Sequence, residues 1–304
     1  MIACGHKASV DPASTAQSLS VIHPATLSQD RPYSTLRNMP HLPRQDHAAV
    51  ARFQTLKQRI SWQQPRIVFL GDSITHGWDY SGGAWQRYFG HRGAFNAGIG
   101  SDRIEHLLYR LANGQLARTS PDVIVVLIGT NNLGLHSADQ ISHGIGQVIT
   151  LIHQLQPQAK IVVHGLFPRG RSIHHRFRSK ISDVNSNISS FGILPYVIYK
   201  DVGQDFLALS GELPRQMMHD GVHLTPRGYQ VWASALEPIL QYAQTSRSFP
   251  EAFAMWQRAR IRSVSGPNTA IDKTQALDRP ASPFEAGLNI AEPVGLSPVA
   301  TFDF

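Results

Sequence analysis

The sequence predicts an α/β protein built on a parallel sheet, and three features of its patterning support that fold class. Short, continuous apolar runs alternate along the chain with longer segments whose apolar residues recur every three or four positions. Continuous runs are typical of strands that helices cover on both faces, as in parallel sheets. Polar residues, among them Asp, Ser and Asn, directly follow several of these runs. Ligands and reacting groups collect at the carboxyl ends of such strands, so the pattern indicates a site at that edge.

The first predicted element is a helix at 47–62, because apolar residues recur there at helical spacing. These residues are Val50, Phe53, Leu56 and Ile60. The first strand is predicted at 67–70, where Gly71 ends a short apolar run. A short helix around Trp85 and a second strand at 94–97 follow.

The central part of the chain has the clearest periodicity. A helix is predicted at 104–111, with Asp102 as its N-cap or in its first turn. The run at 123–128 is continuously apolar and is therefore predicted to be a central strand. A helix at 141–155 and a fourth strand at 160–166 follow.

A fifth strand is predicted at 196–199 and a last helix from Thr225 to about Tyr242. Thr225 followed by Pro226 is a typical N-cap and first-turn pair. Between the last two strands, the segment 169–180 is rich in Arg and His. Its simpler interpretation is a solvated face that leads into a helix, and the alternative is a binding surface for an anionic substrate.

These patterns predict one folded domain over 47–245 between two unlike ends. Residues 1–46 contain scattered Pro, Ser, Gln and His without apolar periodicity, which indicates a mobile leader. From residue 246 we expect a short helix and then a tail rich in Ala, Pro, Gly and Ser, ending at residue 304.

Composition limits the classes of partner. The net charge of +7 favours anionic partners, but no motif for nucleic-acid binding is present, so none is expected. The single cysteine, Cys4, excludes an intrachain disulfide. No apolar run is long enough to predict a transmembrane segment, and none has the form of a signal peptide.

The cellular compartment stays open. The sequence as given indicates a cytoplasmic protein. The start M-I-A-C resembles the end of a bacterial lipoprotein cleavage box, so a start upstream of Cys4 would make the protein periplasmic or lipid-anchored.

Four of the polar positions have the residue types that acyl transfer requires. Ser73 follows the first strand as a candidate nucleophile, and a loop with free backbone N–H groups follows the second. Asn131 follows the third strand and could donate to an oxyanion. Asp220 lies three residues before His223, so one turn can bring the carboxylate to the imidazole and leave the other ring nitrogen as a base.

Each of these residues has a simpler interpretation when taken alone. Ser73 and Asn131 are ordinary turn residues. Asp220 and His223 could be a metal pair or a surface pair, but no third metal ligand is placed by a motif. We therefore expect neither a metal nor a cofactor. A catalytic site is indicated because all of these residues are predicted to lie at the same edge of one sheet.

The G-x-S-x-G elbow of α/β-hydrolases is absent, because Ile74 and Thr75 follow Ser73. The chain instead resembles the SGNH, or GDSL-type, hydrolase family. Within that family it is most similar to the catalytic subunits of brain-type platelet-activating-factor acetylhydrolase and their bacterial relatives. The shared phrases are G-I-G-x-D at 98–102, H-x-L-x-R-L at 106–111, N-G-x-L at 113–116, G-T-N-N at 129–132, Q-P-Q-A-K at 156–160 and P-R-G at 168–170.

The resemblance implies a three-layer α/β/α, flavodoxin-like fold with a five-stranded parallel sheet. It also implies that Ser73 is the nucleophile, His223 the general base and acid, and Asp220 the residue that orients the histidine. The oxyanion hole would consist of the backbone N–H of Ser73, the side-chain amide of Asn131 and the backbone N–H of Ser101. The family usually has glycine where this chain has Ser101, but a serine can still supply the main-chain N–H of the third donor.

We expect from the resemblance a cofactor-independent serine esterase that removes a short acyl group, such as acetyl, from a carbohydrate or small lipid. Two alternatives belong to other classes. One is a binding module that keeps the fold without the chemistry, and the other is an interaction protein recruited through its basic surface. The oligomeric state is open, and a homodimer is among the states allowed.

Overall fold

A computed structural model describes residues 36–245, and these residues form a five-stranded parallel sheet in the order β2-β1-β3-β4-β5. The strands are β1 (Ile67–Gly71), β2 (Ala94–Gly98), β3 (Val123–Leu127), β4 (Lys160–His164) and β5 (Val197–Lys200). The helices are α1 (His47–Gln63), α2 (Ser73–His76), α3 (Ala84–Tyr88), α4 (Ile104–Ala112), α5 (Ala138–Leu155), α6 (Arg178–Ser189) and α7 (Pro226–Thr245). The predicted α/β fold class and the five parallel strands are therefore confirmed.

Helices pack in two groups. Helices α4, α5 and α6 pack against one another in sequence, whereas α3 packs against α7. Strand order reverses at β1, which has β2 on one side and β3 on the other. Because crossovers between parallel strands are right-handed, this reversal sends α3 and α4 to opposite faces of the sheet and gives three layers.

Strand register brings the carboxyl ends of the first three strands level. Gly71, the last residue of β1, pairs with Gly98 of β2 and with Leu127 of β3. The loops that leave these strands therefore start side by side. Their position is the topological switch point, where open α/β sheets bind ligands.

The core is apolar on both faces of the sheet, as the continuous runs predict. All five residues in each of β1, β3 and β4 are buried. Phe69 of β1 contacts an aromatic cluster that joins the strand to α3 and α7. The rings around it are Trp78, Trp85, Phe89 and Trp232.

The helices and strands predicted between residues 47 and 242 are all present, with small differences at their ends and faces. Val50 is 40% exposed, and Ala49 is buried instead on the inner face of α1. Leu155 is 39% exposed because it lies in the last turn of α5. Strand β4 ends at His164, two residues before the predicted end, where the chain leaves the ladder for a loop over the sheet edge.

The packed unit begins before α1, earlier than the sequence predicts. Met39 is buried, and its N–H donates to Gln147 Oε1 at 2.9 Å. The N–H of Leu42 donates to the carbonyl of Glu105 in α4 at 3.1 Å. Residues 39–46 are thus attached to the domain, which corrects the predicted boundary at residue 46. The leader over 1–35, with Cys4, and the extension from 246 lie outside the described residues, so those predictions stand as proposals.

Candidate active site

Ser73 is the first residue of α2 and directly follows the end of β1. Asp72 precedes it and caps the helix, because its Oδ1 accepts the N–H of Ile74 at 2.9 Å. Only glycine fits at position 71, since a Cβ there would lie 2.3 Å from the carbonyl oxygen of Leu127. The G-D-S sequence thus turns the chain sharply and presents Ser73 at the carboxyl end of β1.

Three of the predicted site residues form a continuous hydrogen-bonded chain. His223 Nε2 lies 2.9 Å from Ser73 Oγ, and His223 Nδ1 lies 2.6 Å from Asp220 Oδ2. The Asp220 carboxylate also accepts the N–H groups of Val222 and His223 through Oδ1, at 2.9 and 2.8 Å. Partial burial would raise the pKa of Asp220, but these bonds and the imidazole lower it to about 2. An ionised carboxylate on Nδ1 leaves Nε2 as the acceptor for the serine proton.

The loop that carries Asp220 and His223 is fastened to the loop after β4. The N–H of Gly170 donates to the carbonyl of Gly221 at 2.8 Å, and Arg171 donates to the carbonyl of His219. Gly221 has a φ of 79°, and a Cβ there would lie 3.3 Å from the backbone of Gly170. Close packing of two loops therefore sets the position of the histidine relative to the serine, 150 residues earlier in the chain.

Ser101 and Asn131, the other two predicted oxyanion donors, lie in the loops after β2 and β3. Ser101 has a φ of 61°, in the left-handed region that glycine adopts without strain. Asn131 lies in a short 3-10 turn and donates one Nδ2 hydrogen to the carbonyl of Asp102 at 2.9 Å. Since Nδ2 carries two hydrogens, a second donor remains on the amide. The two loops are thereby joined directly.

An imidazole held against a serine hydroxyl can activate it for acyl transfer, and comparison with known proteins identifies a family of acylhydrolases. The model of the GDSL-like lipase/acylhydrolase family matches residues 69–231, more than half of the chain. The chain belongs to this family. Platelet-activating factor acetylhydrolase IB subunit alpha1 of Rattus norvegicus is 34% identical over 203 residues, which are 65% of this chain and 86% of the rat protein. Membership of this family places the chain among the carboxylic ester hydrolases and does not specify a substrate.

Solved structures share the fold. A GDSL-like lipase from Bacteroides thetaiotaomicron has a TM-score of 0.54 at 21% identity, covering 65% of this chain and 100% of that one. An acetyl xylan esterase has a TM-score of 0.50 at 21% identity, covering 57% of this chain and 98% of that one. At these identities the likeness is evidence of the fold alone.

The structure corrects the prediction that Asp102 caps α4 or lies in its first turn. The N-cap is Arg103, whose N–H donates to His106 Nδ1 at 3.0 Å. Asp102 is one residue too early, and its buried carboxylate instead accepts from Arg110 Nε at 2.8 Å. A guanidinium inside the core attracts a carboxylate more strongly than the helix end does, because neither charge can stay buried alone. In the sequence, Arg110 of the phrase H-x-L-x-R-L is the residue that could have indicated this pairing.

The basic segment 169–180 is not simply a solvated face. Arg169 donates to the carbonyl of Thr130 at 3.0 Å, in the turn that carries Asn131. Lys180 donates to the carbonyl of Leu133 at 2.9 Å. These cations bind backbone oxygens of the loop after β3, so they fasten the site loops to one another. The interpretation as a solvated face is wrong for them.

Two negative findings concern the described part of the chain. Within residues 36–245, no group of three or more His, Cys, Asp and Glu side chains is arranged to hold a metal ion. None of the helices described there is both long enough and apolar enough to cross a membrane.

Proposed function

We propose that this GDSL-family hydrolase is a serine esterase that removes short acyl groups, acetyl in particular, from hydroxyls of a carbohydrate or small lipid. The observation that supports it is the unbroken chain of hydrogen bonds from Asp220 through His223 to Ser73. An oriented base on a serine hydroxyl is the arrangement that activates this weak nucleophile.

The reaction would proceed in two halves. Ser73 Oγ attacks the ester carbonyl carbon while His223 Nε2 takes the hydroxyl proton, and the oxyanion forms opposite donors from Ser73, Ser101 and Asn131. The bond to the alcohol oxygen then breaks, and His223 returns the proton to that oxygen. Water next attacks the acyl-serine with His223 again as the base, which releases the carboxylic acid and restores Ser73.

Preference for acetyl has two supports. The name of the rat relative, which is 34% identical to this chain, refers to acetyl groups, since that protein is an acetylhydrolase subunit. No apolar insertion between the motif blocks is long enough to form a lid or a tunnel for a long acyl chain. These supports concern the acyl half of the substrate. The alcohol half, a carbohydrate or small lipid, is proposed from the family resemblance.

The test is ester turnover by the wild type and by Ser73→Ala. We expect Ser73→Ala to remain folded and to lose several orders of magnitude in kcat on p-nitrophenyl acetate. A fluorophosphonate probe should label the wild type at Ser73 and should not label the variant. Wild-type turnover in Ser73→Ala would refute the serine mechanism.

The acyl and alcohol halves of the substrate are tested separately. p-Nitrophenyl esters of acetate, octanoate and palmitate should be hydrolysed in falling order of kcat/KM. Faster turnover of palmitate would refute the short-acyl preference. Acetylated xylan and an acetylated glycerophospholipid then distinguish a carbohydrate from a lipid alcohol, with acetate release as the measurement.

A further inference from the structure

Two motif phrases, G-I-G-x-D and H-x-L-x-R-L, contain an aspartate and an arginine that the proposed mechanism does not use. Asp102 and Arg110 are both buried, with side chains 0% and 2% exposed. The Asp102 carboxylate accepts from Arg110 Nε at 2.8 Å through Oδ2 and from Arg44 Nη1 at 3.2 Å through Oδ1. A buried carboxylate must be paired to be tolerated, so these two cations also determine where the residue lies.

Arg110 connects this carboxylate to the ends of two strands. Its Nη2 donates to the carbonyl of Gly71 at 3.3 Å, and its Nη1 donates to the carbonyl of Ala97 at 3.2 Å. Gly71 ends the strand before Ser73, and Ala97 lies in the strand before Ser101. The guanidinium of Arg110 thus fixes the distance between the loop that carries Ser73 and the loop that carries Ser101.

Arg44 holds the same loop from the outside. Its Nη1 donates to the carbonyl of Gly100 at 2.7 Å as well as to Asp102. Its Nη2 lies 2.5 Å from Asp46 Oδ2, and Asp46 Oδ1 in turn caps α1 by accepting the N–H of Ala49 at 2.9 Å. The segment before α1 is therefore a brace between that helix and residues 100–102.

This loop needs bracing because its backbone is strained. Ser101 has a φ of 61°, and a non-glycine residue keeps such a conformation only where its surroundings enforce it. Arg44 binds both neighbours of Ser101 in the chain, Gly100 and Asp102. Asp102 also accepts Asn131 Nδ2 on its carbonyl at 2.9 Å. Both predicted loop donors to the oxyanion are therefore attached to Asp102.

We propose that Asp102, held by Arg110 from the core and by Arg44 from the segment before α1, is the positioning residue of the oxyanion hole. The proposal rests on the proposed esterase function. It assigns a role to residues 39–46, which lie outside the span of the family match. Oxyanion donors act only at hydrogen-bonding distance from the developing charge, so a loop that relaxes should lower kcat more than it changes KM.

Arg44 is the position to test, because it is 18% exposed and its loss leaves the Asp102–Arg110 pair intact. We expect Arg44→Gln to lower kcat on p-nitrophenyl acetate by about tenfold with KM nearly unchanged, since misplacement by about 1 Å can cost up to 10²-fold. The kcat of Arg44→Lys should lie between the values of the wild type and of Arg44→Gln, because a lysine reaches fewer acceptors than the guanidinium. Arg66→Gln is the control, since it removes an ion pair with Asp122 (2.7 Å) at the opposite end of β1.

A double-mutant cycle separates positioning from general destabilisation. If Arg44 acts through the oxyanion donors, Arg44→Gln should lower kcat by about threefold or less when Asn131→Ala is already present. Full additivity would overturn the proposal, as would an unchanged kcat in Arg44→Gln or a loss carried by KM. An equal loss in Arg66→Gln would show that the effect is not specific to this loop and would also overturn it.

Hydrogen exchange provides a readout that needs no substrate. Amides in the peptide covering 99–103 should exchange faster in Arg44→Gln, whereas those of α5 should not change. If the wild type hydrolyses no ester, or if Ser73→Ala retains activity, the esterase function fails. Exchange in this peptide still decides whether Arg44 braces the loop, and unchanged exchange would overturn that.

Discussion

Asp72, the neighbour of the candidate nucleophile, should make folding stability depend on pH in an unusual direction. Its side chain is fully buried, and its Oδ2 has no hydrogen-bond partner in the described part of the chain. Burial raises the pKa of Asp72 from 3.8 to about 7, and the charge of Asp102 acts in the same direction. Folding therefore favours the protonated acid. The contribution of Asp72 to the free energy of unfolding is complete below pH 3.8 and is lost as the pH rises to about 7.

A second buried group has the opposite pH dependence. Burial lowers the pKa of His164 from 6.5 to about 3, and its Nε2 accepts the indole N–H of Trp232 at 3.1 Å. Stability from this neutral imidazole is present above pH 6.5 and is lost as the pH falls to about 3. Between pH 3.8 and pH 6.5, the loss of stability from Asp72 and the gain from His164 with rising pH therefore offset each other. A flat profile for the wild type would therefore not count against either pKa.

Asp72→Asn isolates the carboxyl group, because the amide oxygen can still cap Ile74 and the side chain no longer ionises. At about 1.36 kcal/mol per pKa unit, the full effect of Asp72 is about 4 kcal/mol, which is an upper value. We expect the free energy of unfolding of Asp72→Asn relative to the wild type to rise by about 2–4 kcal/mol from pH 4.5 to pH 8. Any cost of the substitution that does not depend on pH cancels in this difference.

Urea unfolding of both proteins at several pH values measures the effect. Asp122→Asn controls for the removal of one negative charge, because Asp122 is exposed in its ion pair with Arg66. A difference between Asp72→Asn and the wild type that stays constant within about 0.5 kcal/mol would refute the reasoning. Asp72 would then be ionised in the folded protein despite its burial.

Three further predictions concern the candidate site. Asn131→Ala should lower kcat on p-nitrophenyl acetate by about 10² to 10³ with little change in KM, since it removes a donor to developing charge; steady-state kinetics with circular dichroism as the folding control tests this. Ser101→Gly should keep activity and raise the free energy of unfolding by up to about 1 kcal/mol, because glycine adopts a positive φ without strain; urea unfolding measures it, and a large loss of kcat in Ser101→Ala would mean that the hydroxyl acts rather than the N–H. Asp220→Asn should lower kcat by about 10² to 10⁴, because an amide neither orients His223 nor stabilises its protonated form; a kcat near that of the wild type would exclude Asp220 from this role.

Much of the fold could be predicted because its signals are local. The central strands β1 and β3 are runs of apolar residues that end near a glycine, and the longer helices have a periodic apolar face. Thr225 and Pro226 specify the start of α7 through short-range chemistry, and the structure places that start at Pro226. The three residues Ser73, Asp220 and His223 could be found for the same reason, since each lies in a short motif beside a predicted element.

What the sequence could not determine depends on contacts between distant segments. Asp102 looks like a helix cap in the sequence, yet in the folded protein its partners are Arg110 and Arg44, the latter 58 residues away. Met39 and Arg44 lie in a segment without periodicity, so only their contacts with the domain reveal that the segment is packed.

Burial of charge was likewise decided by the tertiary structure alone. Asp72 and His164 are polar residues at strand ends, where solvent exposure would be the ordinary expectation, and the structure buries both completely. Periodicity reports which face of an element is apolar, but it does not report which polar side chains are enclosed when sheet, helices and loops close over them. Their protonation states, and with them the pH dependence of stability, therefore follow from the assembled fold.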